Sequence, residues 1–251
     1  MSAEPDTRTA ASQEQREAYE RDGFLVLDAV AADDALDQIV ADLDGLYGEP
    51  REEGGVRYFH RRIQDAWHVS ENVRALALDP GVLAFLEDLY GRKPLPFQTI
   101  NFRRGSQQAA HSDAIHFHTI PEGFMCGVWV ALEDMDMDNG PLIYYPGSHK
   151  LPYAKPADFG AEAKWENYPN YEAYVQDVID REGLEPAYGT IRKGQAILWS
   201  ANLIHGGAPV ADPDRTRHSQ VTHYFFEGCE YYTPMTSEGE EIKRRNPVWI
   251  T

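Results

Sequence analysis

The stretch HSDAIHFH, residues 111–118, places three histidines and an aspartate within eight positions, in a chain with only nine histidines among 251 residues. Two metal-binding pairs overlap in it. On an extended strand, residues i and i+2 share a face, so His111 and Asp113 present an imidazole and a carboxylate together, and His116 and His118 present two imidazoles. In a regular strand the two pairs face opposite sides and compete for the interior. A third donor for the first pair stands far along the chain: His205, in SANLIHGGAPVADPDRTR, followed at ten and twelve residues by Arg215 and Arg217. Two histidines and one carboxylate form a facial triad that leaves open positions on Fe(II) for a cosubstrate and O2. A nearby arginine supplies the fork that grips a carboxylate through two hydrogen bonds.

The elements that must position these groups fall into two halves. Residues 1–11 read as a disordered tail. SQEQREAYERDG predicts a short helix stopped by Gly23, and FLVLDAV a strand. DDALDQIVADLDGLYG has helical apolar spacing, with Asp33 or Asp34 as cap and Gly48 as stop. EPREEGG reads as a loop. SENVRALALDPGVLAFLEDLYG predicts two helical segments broken at Asp79-Pro80 and ending at Gly91. From residue 95 the texture changes to short β-rich runs between turn residues: PFQTINF, AIHFHTI, MCGVWVALE, PLIYYP, GTIRKG, QAILWS, APVAD and HSQVTHYFF. The expected layout is one domain over 12–251, with a helical layer (roughly 12–92) on a β core (roughly 95–230). An acidic, partly helical insertion occupies 151–186.

Composition narrows the function. A formal charge of −18 argues against nucleic acid or an anionic membrane as partner. No apolar run spans a membrane and the N-terminus lacks a signal-peptide core. Two cysteines make no disulfide framework. The expectation is a cytoplasmic, monomeric or homodimeric protein acting on a small molecule.

YERDGFLVLDAV, HSD, GVWVALEDMDMDNGPLIYYPGSHK, KGQAILWSANLIHGG and RTRHSQVTHYF together resemble the phytanoyl-CoA dioxygenase family of Fe(II)/2-oxoglutarate oxygenases. The resemblance runs over most of the chain. It implies a double-stranded β-helix (jelly roll) and His111, Asp113 and His205 as iron ligands. It also implies 2-oxoglutarate and O2 as cosubstrates, and substrate oxidation coupled to decarboxylation of 2-oxoglutarate to succinate and CO2. Arg215 and Arg217 straddle the spacing at which the family holds the distal carboxylate. The register to the aromatic Tyr224 favours Arg217, which would share an inward face with Ser219, Val221 and His223. Thr99 and Asn101, on the strand before the motif, are candidates to touch the cosubstrate, and Trp129 to wall it. Where the family often has serine two residues after the distal histidine, this chain has Gly207. Related halogenases carry a small residue at the position of Asp113, so the carboxylate here favours hydroxylation.

A competing, cupin-like pattern, His-x-His-x3-Glu, fits His116, His118 and Glu122, without the glycine expected six residues earlier. A third reading is a catalytically silent member that binds a ligand. For the substrate, the aromatic and locally basic RYFHRRIQDAWHVSE nominates His60, Arg61, Arg62, Gln64 and Trp67, with His116 and His118 at the rim. KWENYPNYEAY reads as a lid, and His149 as structural.

Overall fold

The computed structural model describes residues 10–28, 30–239 and 241–251, so most of the expected tail lies outside the described residues. At its edge Ala11 is tied down, its backbone N–H donating to Asp88 Oδ2 at 2.7 Å. Helix α1 (Gln13–Asp22) opens with a reciprocal capping box between Ser12 and Gln15 and stops at Gly23, whose φ of 81° suits glycine. Strand β1 (Phe24–Leu27) follows, then α2 (Asp33–Leu43). The α2 cap differs from expectation. Ala32 occupies the cap without a side-chain bond, Asp33 and Asp34 lie in the first turn facing the positive end of the helix dipole, and the helix ends before Gly48.

The stretch read as a loop at 49–55 contains β2 (Arg51–Glu53), which turns into β3 (Val56–Tyr58) and β4 (Arg62–Gln64). Helices α3 (Glu71–Ala77) and α4 (Pro80–Tyr90) break where Asp79-Pro80 predicts, each capped by a side chain, Ser70 and Asp79. The remaining elements are β5 (Pro94–Phe102), β6 (His118–Ile120), β7 (Met125–Ala131), β8 (Leu142–Tyr144), α5 (Tyr168–Glu182), β9 (Ala187–Tyr188), β10 (Ala196–Ser200), β11 (His205–Gly207), β12 (Ser219–Phe226) and β13 (Glu230–Tyr232). GTIRKG and APVAD form no strand; their places in the pairing are taken by β9 and β11.

The strands form an antiparallel eight-stranded sheet, ordered β1-β10-β7-β12-β5-β4-β3-β2, facing a three-stranded sheet, β11-β8-β9, with β13 and β6 paired separately. This is the double-stranded β-helix. The large sheet is covered on both sides, which is why β7 and β12 are buried at every residue rather than alternately. Cys126, Val128 and Val130 pack toward the helices with Leu36, Ile39, Phe85 and Leu86. Trp129 and Ala131 point the other way, onto Leu142, Tyr144 and Trp199. That inner face carries the chemistry.

Candidate metal centre and cosubstrate pocket

The expected strand AIHFHTI is interrupted. A single 3-10 turn, Asp113–Ile115, separates His111 from β6. His111 instead makes a two-way backbone bridge with His205, each N–H donating to the other's carbonyl at 2.8 Å. This bridge locks the proximal motif to the distal one, with the two imidazole centroids 4.5 Å apart.

His111, Asp113 and His205 are buried, and their ligand atoms lie within 4.8 Å of one another. Among the described residues they are the one such group of three. His111 Nδ1 lies 2.9 Å from the Ala109 carbonyl, and His205 Nδ1 2.9 Å from the Leu203 carbonyl. A carbonyl only accepts, so both Nδ1 atoms carry the proton and both Nε2 lone pairs face Asp113 Oδ1, at 3.9 and 3.8 Å. Trp199 Nε1 donates to Asp113 Oδ2 at 2.8 Å, and His223 Nε2 stands 3.5 Å from the same oxygen. Oδ1 is left for a metal. Burial alone would raise the Asp113 pKa, but His205, His223 and His111 outweigh it and hold the group ionised well below the usual carboxylate range. The donor set fits a divalent iron.

Gly127 makes room for this arrangement. A Cβ there would lie 2.5 Å from the Trp199 ring, including 2.8 Å from Nε1. Gly127→Ala is expected to displace the indole, destabilise the fold by about 1–3 kcal/mol through overpacking, and weaken metal binding by freeing the carboxylate. Denaturant melts and Fe(II) titration of the variant check both effects.

Burial, and then the neighbouring His205, pushes His111 down to about 3; burial foremost pushes His116 down to about 4. The ordinary value is 6.5 in each case, so below it the unfolded chain binds more protons than the fold. This contribution to the metal-free protein is fully present above pH 6.5 and is lost as pH falls toward 4. The two imidazoles give a slope on the order of 1–3 kcal/mol per pH unit. Asp113 adds nothing in this window, because its contribution falls away only below its ordinary 3.8. Melts of the metal-free protein from neutrality down to about pH 4.5 should show the slope, and His116→Phe should make it shallower.

From the three ligand-type residues a narrow pocket runs inward between the sheets, lined by Ile100, Phe102, Ser106, Trp129, Val221 and, at its far end, Arg217. Arg217 is 3% exposed. Its Nη1 donates to Ser219 Oγ at 2.9 Å, its guanidinium lies 5.2 Å from the Phe102 ring centre and 5.4 Å from that of Trp129, and its Nε is buried without a partner. Among the described residues no carboxylate forms an ion pair with it, and burial, countered only in part by the charge of Glu133, lowers its pKa to about 10. Arg215, the fallback, is a surface turn residue that pairs with Asp136 at 2.9 Å. Ser106 Oγ sits 2.3 Å from where a Cβ on Gly207 would be. A hydroxyl from another loop thus fills the space a serine side chain at 207 would enter.

Other predicted residues are placed differently. Thr99 and Asn101 do share a face, but it is the helix-facing one. Asn101 Nδ2 donates to Gln220 Oε1, whose own amide donates to the Val73 carbonyl of α3. Alternation fixes which residues lie together, not which side they take; Ile100 and Phe102 are the pocket residues of β5.

An outer cavity of about 790 Å³ opens over His111 and Asp113. Arg62, Gln64, Trp67 and His116 line it. His60 and Arg61 do not: His60 is exposed and 3.5 Å from Glu49, and Arg61 is exposed between the strands. His118 is buried against Tyr153 and Tyr232, with Glu122 at 3.6 Å. The turn at 113–115 sends His116 into the cavity and His118 away from it, so His116, His118 and Glu122 do not assemble. The insertion is a wall anchored in the core. Ser112 N–H donates to Tyr171 Oη at 2.8 Å, while Trp165 stacks on His116 and Tyr168 Oη lies 3.1 Å from its Nε2. His149 packs against Gly23 and meets the Glu20 carbonyl at 3.2 Å, a structural placement. Trp199, Gln108 and Arg245 were not singled out from sequence. Gln108 stands 3.3 Å from His111 Nε2, but nothing in a lone glutamine marks it.

The family described as phytanoyl-CoA dioxygenase (PhyH) matches residues 19–219. The peroxisomal phytanoyl-CoA dioxygenase of Rattus norvegicus is 26% identical over 260 residues, covering 93% of this chain and 74% of the relative. Among solved structures, the non-heme alpha ketoglutarate dependent carbocyclase SnoK from nogalamycin biosynthesis superposes with a TM-score of 0.70 at 18% identity, over 97% of this chain and 100% of that one. EctD from S. alaskensis, solved with 2-oxoglutarate and 5-hydroxyectoine, gives 0.66 at 20% identity, over 98% and 88%. With a match over most of its length, the chain belongs to the phytanoyl-CoA dioxygenase family.

Proposed function

We propose that the protein is an Fe(II)- and 2-oxoglutarate-dependent dioxygenase that hydroxylates a small molecule. One observation carries this most: a buried arginine without a carboxylate partner closes a pocket whose other end is His111, Asp113 and His205. Those three would hold Fe(II), and Arg217 would hold the distal carboxylate of 2-oxoglutarate. With iron, cosubstrate and O2 bound, the centre supplies decarboxylation of 2-oxoglutarate to succinate and CO2 together with oxidation of a substrate C–H bond.

The chain's own part is binding, orientation and exclusion of water. The guanidinium, flanked by Phe102 and Trp129, meets its carboxylate in a desolvated place where a charge-assisted bond is strong. Trp199 and the two backbone carbonyls fix the three donor groups before any ligand arrives. The substrate would enter the outer cavity, over His111 and Asp113, with the Trp165–Tyr168 wall limiting solvent.

SnoK is a carbocyclase, so the fold alone does not select hydroxylation. The Asp113 carboxylate favours it over halogenation. Incubation with candidate substrates, 2-oxoglutarate and O2, followed by succinate assay and product mass, tests the reading. Hydroxylation adds one oxygen atom per succinate formed. A product lacking two hydrogens would overturn hydroxylation, and absence of succinate with Fe(II) bound would overturn the oxygenase reading.

A further inference from the structure

The outer cavity is basic in a chain that is strongly acidic. Asp and Glu number 41 against 23 Lys and Arg. Several exposed arginines pair with a carboxylate: Arg57 with Glu52, Arg181 with Glu182 and Arg244 with Glu230 are examples. Two half-buried arginines on the cavity wall do not, among the described residues.

Arg62 comes from β4. Its register partner is Phe102 and that of Gln64 is Ile100, so both β4 side chains take the inner face with the pocket residues of β5. Its guanidinium lies 5.0 Å from the Phe59 ring centre. Arg245 comes from the C-terminal segment. Its backbone N–H donates to the Tyr231 carbonyl at 2.7 Å, its Nη1 donates to Thr233 Oγ1 at 3.0 Å, and its guanidinium stands 4.8 Å from the Phe117 ring centre. Its Nε is buried without a partner. Burial lowers the pKa of both arginines, and no carboxylate counters the effect in either case.

The carboxylates on the same wall are otherwise engaged. Asp65 accepts from the Thr99 N–H and from Gln64 Nε2, both at 3.2 Å. Asp113 belongs to the metal centre. Two desolvated guanidinium forks lacking countercharge are costly unless an anion arrives, and their planar donors match an oxyanion. Trp67, Phe97, Phe117 and Trp165 line the rest and offer surface to an apolar or flat body.

We propose that the outer cavity binds a substrate through its anionic end, a carboxylate or phosphate held between Arg62 and Arg245, with the remainder of the molecule against the aromatic wall. As a statement about the substrate, this rests on the oxygenase reading of the site. The binding itself is measurable without iron, 2-oxoglutarate or O2.

The probes are phenylacetate, phenyl phosphate and the neutral phenylacetamide, titrated into the metal-free protein while following tryptophan fluorescence, since Trp67 and Trp165 line the cavity. At least one acid should bind about tenfold tighter than the amide, and the tighter one names the head group. Arg62→Gln and Arg245→Gln should each weaken it about tenfold, while Arg217→Met leaves it unchanged. Both variants should still form the Fe(II)–2-oxoglutarate chelate, which shows that they fold. Equal affinity for acids and amide, or acid binding indifferent to both substitutions, would overturn the proposal. Acid binding lost in Arg217→Met alone would also overturn it, by placing the probe in the inner pocket. Retained acid binding with no chelate in the parent protein would sink the oxygenase reading and leave the anion site standing.

Discussion

Asp113→Ala is expected to lower Fe(II) affinity by at least about 100-fold, more than the loss of an outer-sphere partner costs. In an anaerobic titration with 2-oxoglutarate, the visible charge-transfer band of the chelate should be absent at metal concentrations that saturate the parent. The magnitude follows from the geometry. Asp113 Oδ1 faces both Nε2 atoms at 3.8–3.9 Å, and no other carboxylate among the described residues joins that group. Two neutral imidazoles remain, without the anion that balances the ion's charge. The substitution also leaves the Trp199 N–H buried and unpartnered, a further cost to the fold of about 1–3 kcal/mol. His118→Ala is the control, because His118 packs outside the cavity. Iron binding indifferent to Asp113→Ala but lost in His118→Ala would transfer the site to the cupin-like set.

How much of this the sequence carries depends on what kind of information each feature needs. The α1 helix with its Gly23 stop, the Asp79-Pro80 break and the apolar runs of β7, β10 and β12 are local, and each appears where its residues predict. The metal-ligand candidates are legible because residue type and spacing together restrict the chemistry, even though the strand expected to present them is a bridge and a turn. Facing is not legible. Thr99 and Asn101 occupy the right strand and the wrong side, since period-2 alternation carries no sign and only the helices packed on β5 and β12 decide it. Short loops such as 49–55 hide strands because a three-residue strand has too little pattern to show. Arg245 is invisible for another reason: its place depends on the C-terminal segment folding back to β13, a long-range contact that no local motif marks.

Arg217→Met should weaken cosubstrate binding strongly while leaving stability nearly unchanged. The affinity for 2-oxoglutarate is expected to fall at least about 100-fold, the cost of removing one partner of a buried charge pair. The free protein is expected to melt no lower than the parent. Arg217 in the absence of cosubstrate is a desolvated cation with one neutral hydrogen bond, to Ser219, and an unpartnered Nε. Methionine of comparable length removes that penalty and keeps contact with Phe102 and Trp129. Against this stands the loss of two cation–π contacts at 5.2 and 5.4 Å, each worth about 0.5–2 kcal/mol. The two sides nearly cancel, whereas the ligand effect has nothing to offset it. In differential scanning experiments on the metal-loaded protein, 2-oxoglutarate should raise the parent's melting temperature and leave that of the variant in place. Arg217→Lys keeps the charge but not the fork, and should recover only part of the shift. A variant that loses several kcal/mol of stability while still responding to 2-oxoglutarate would make Arg217 a core residue and move the cosubstrate elsewhere. A residue kept for packing alone should not be a buried arginine, because an apolar side chain fills the same space without leaving an unpaired charge between two sheets.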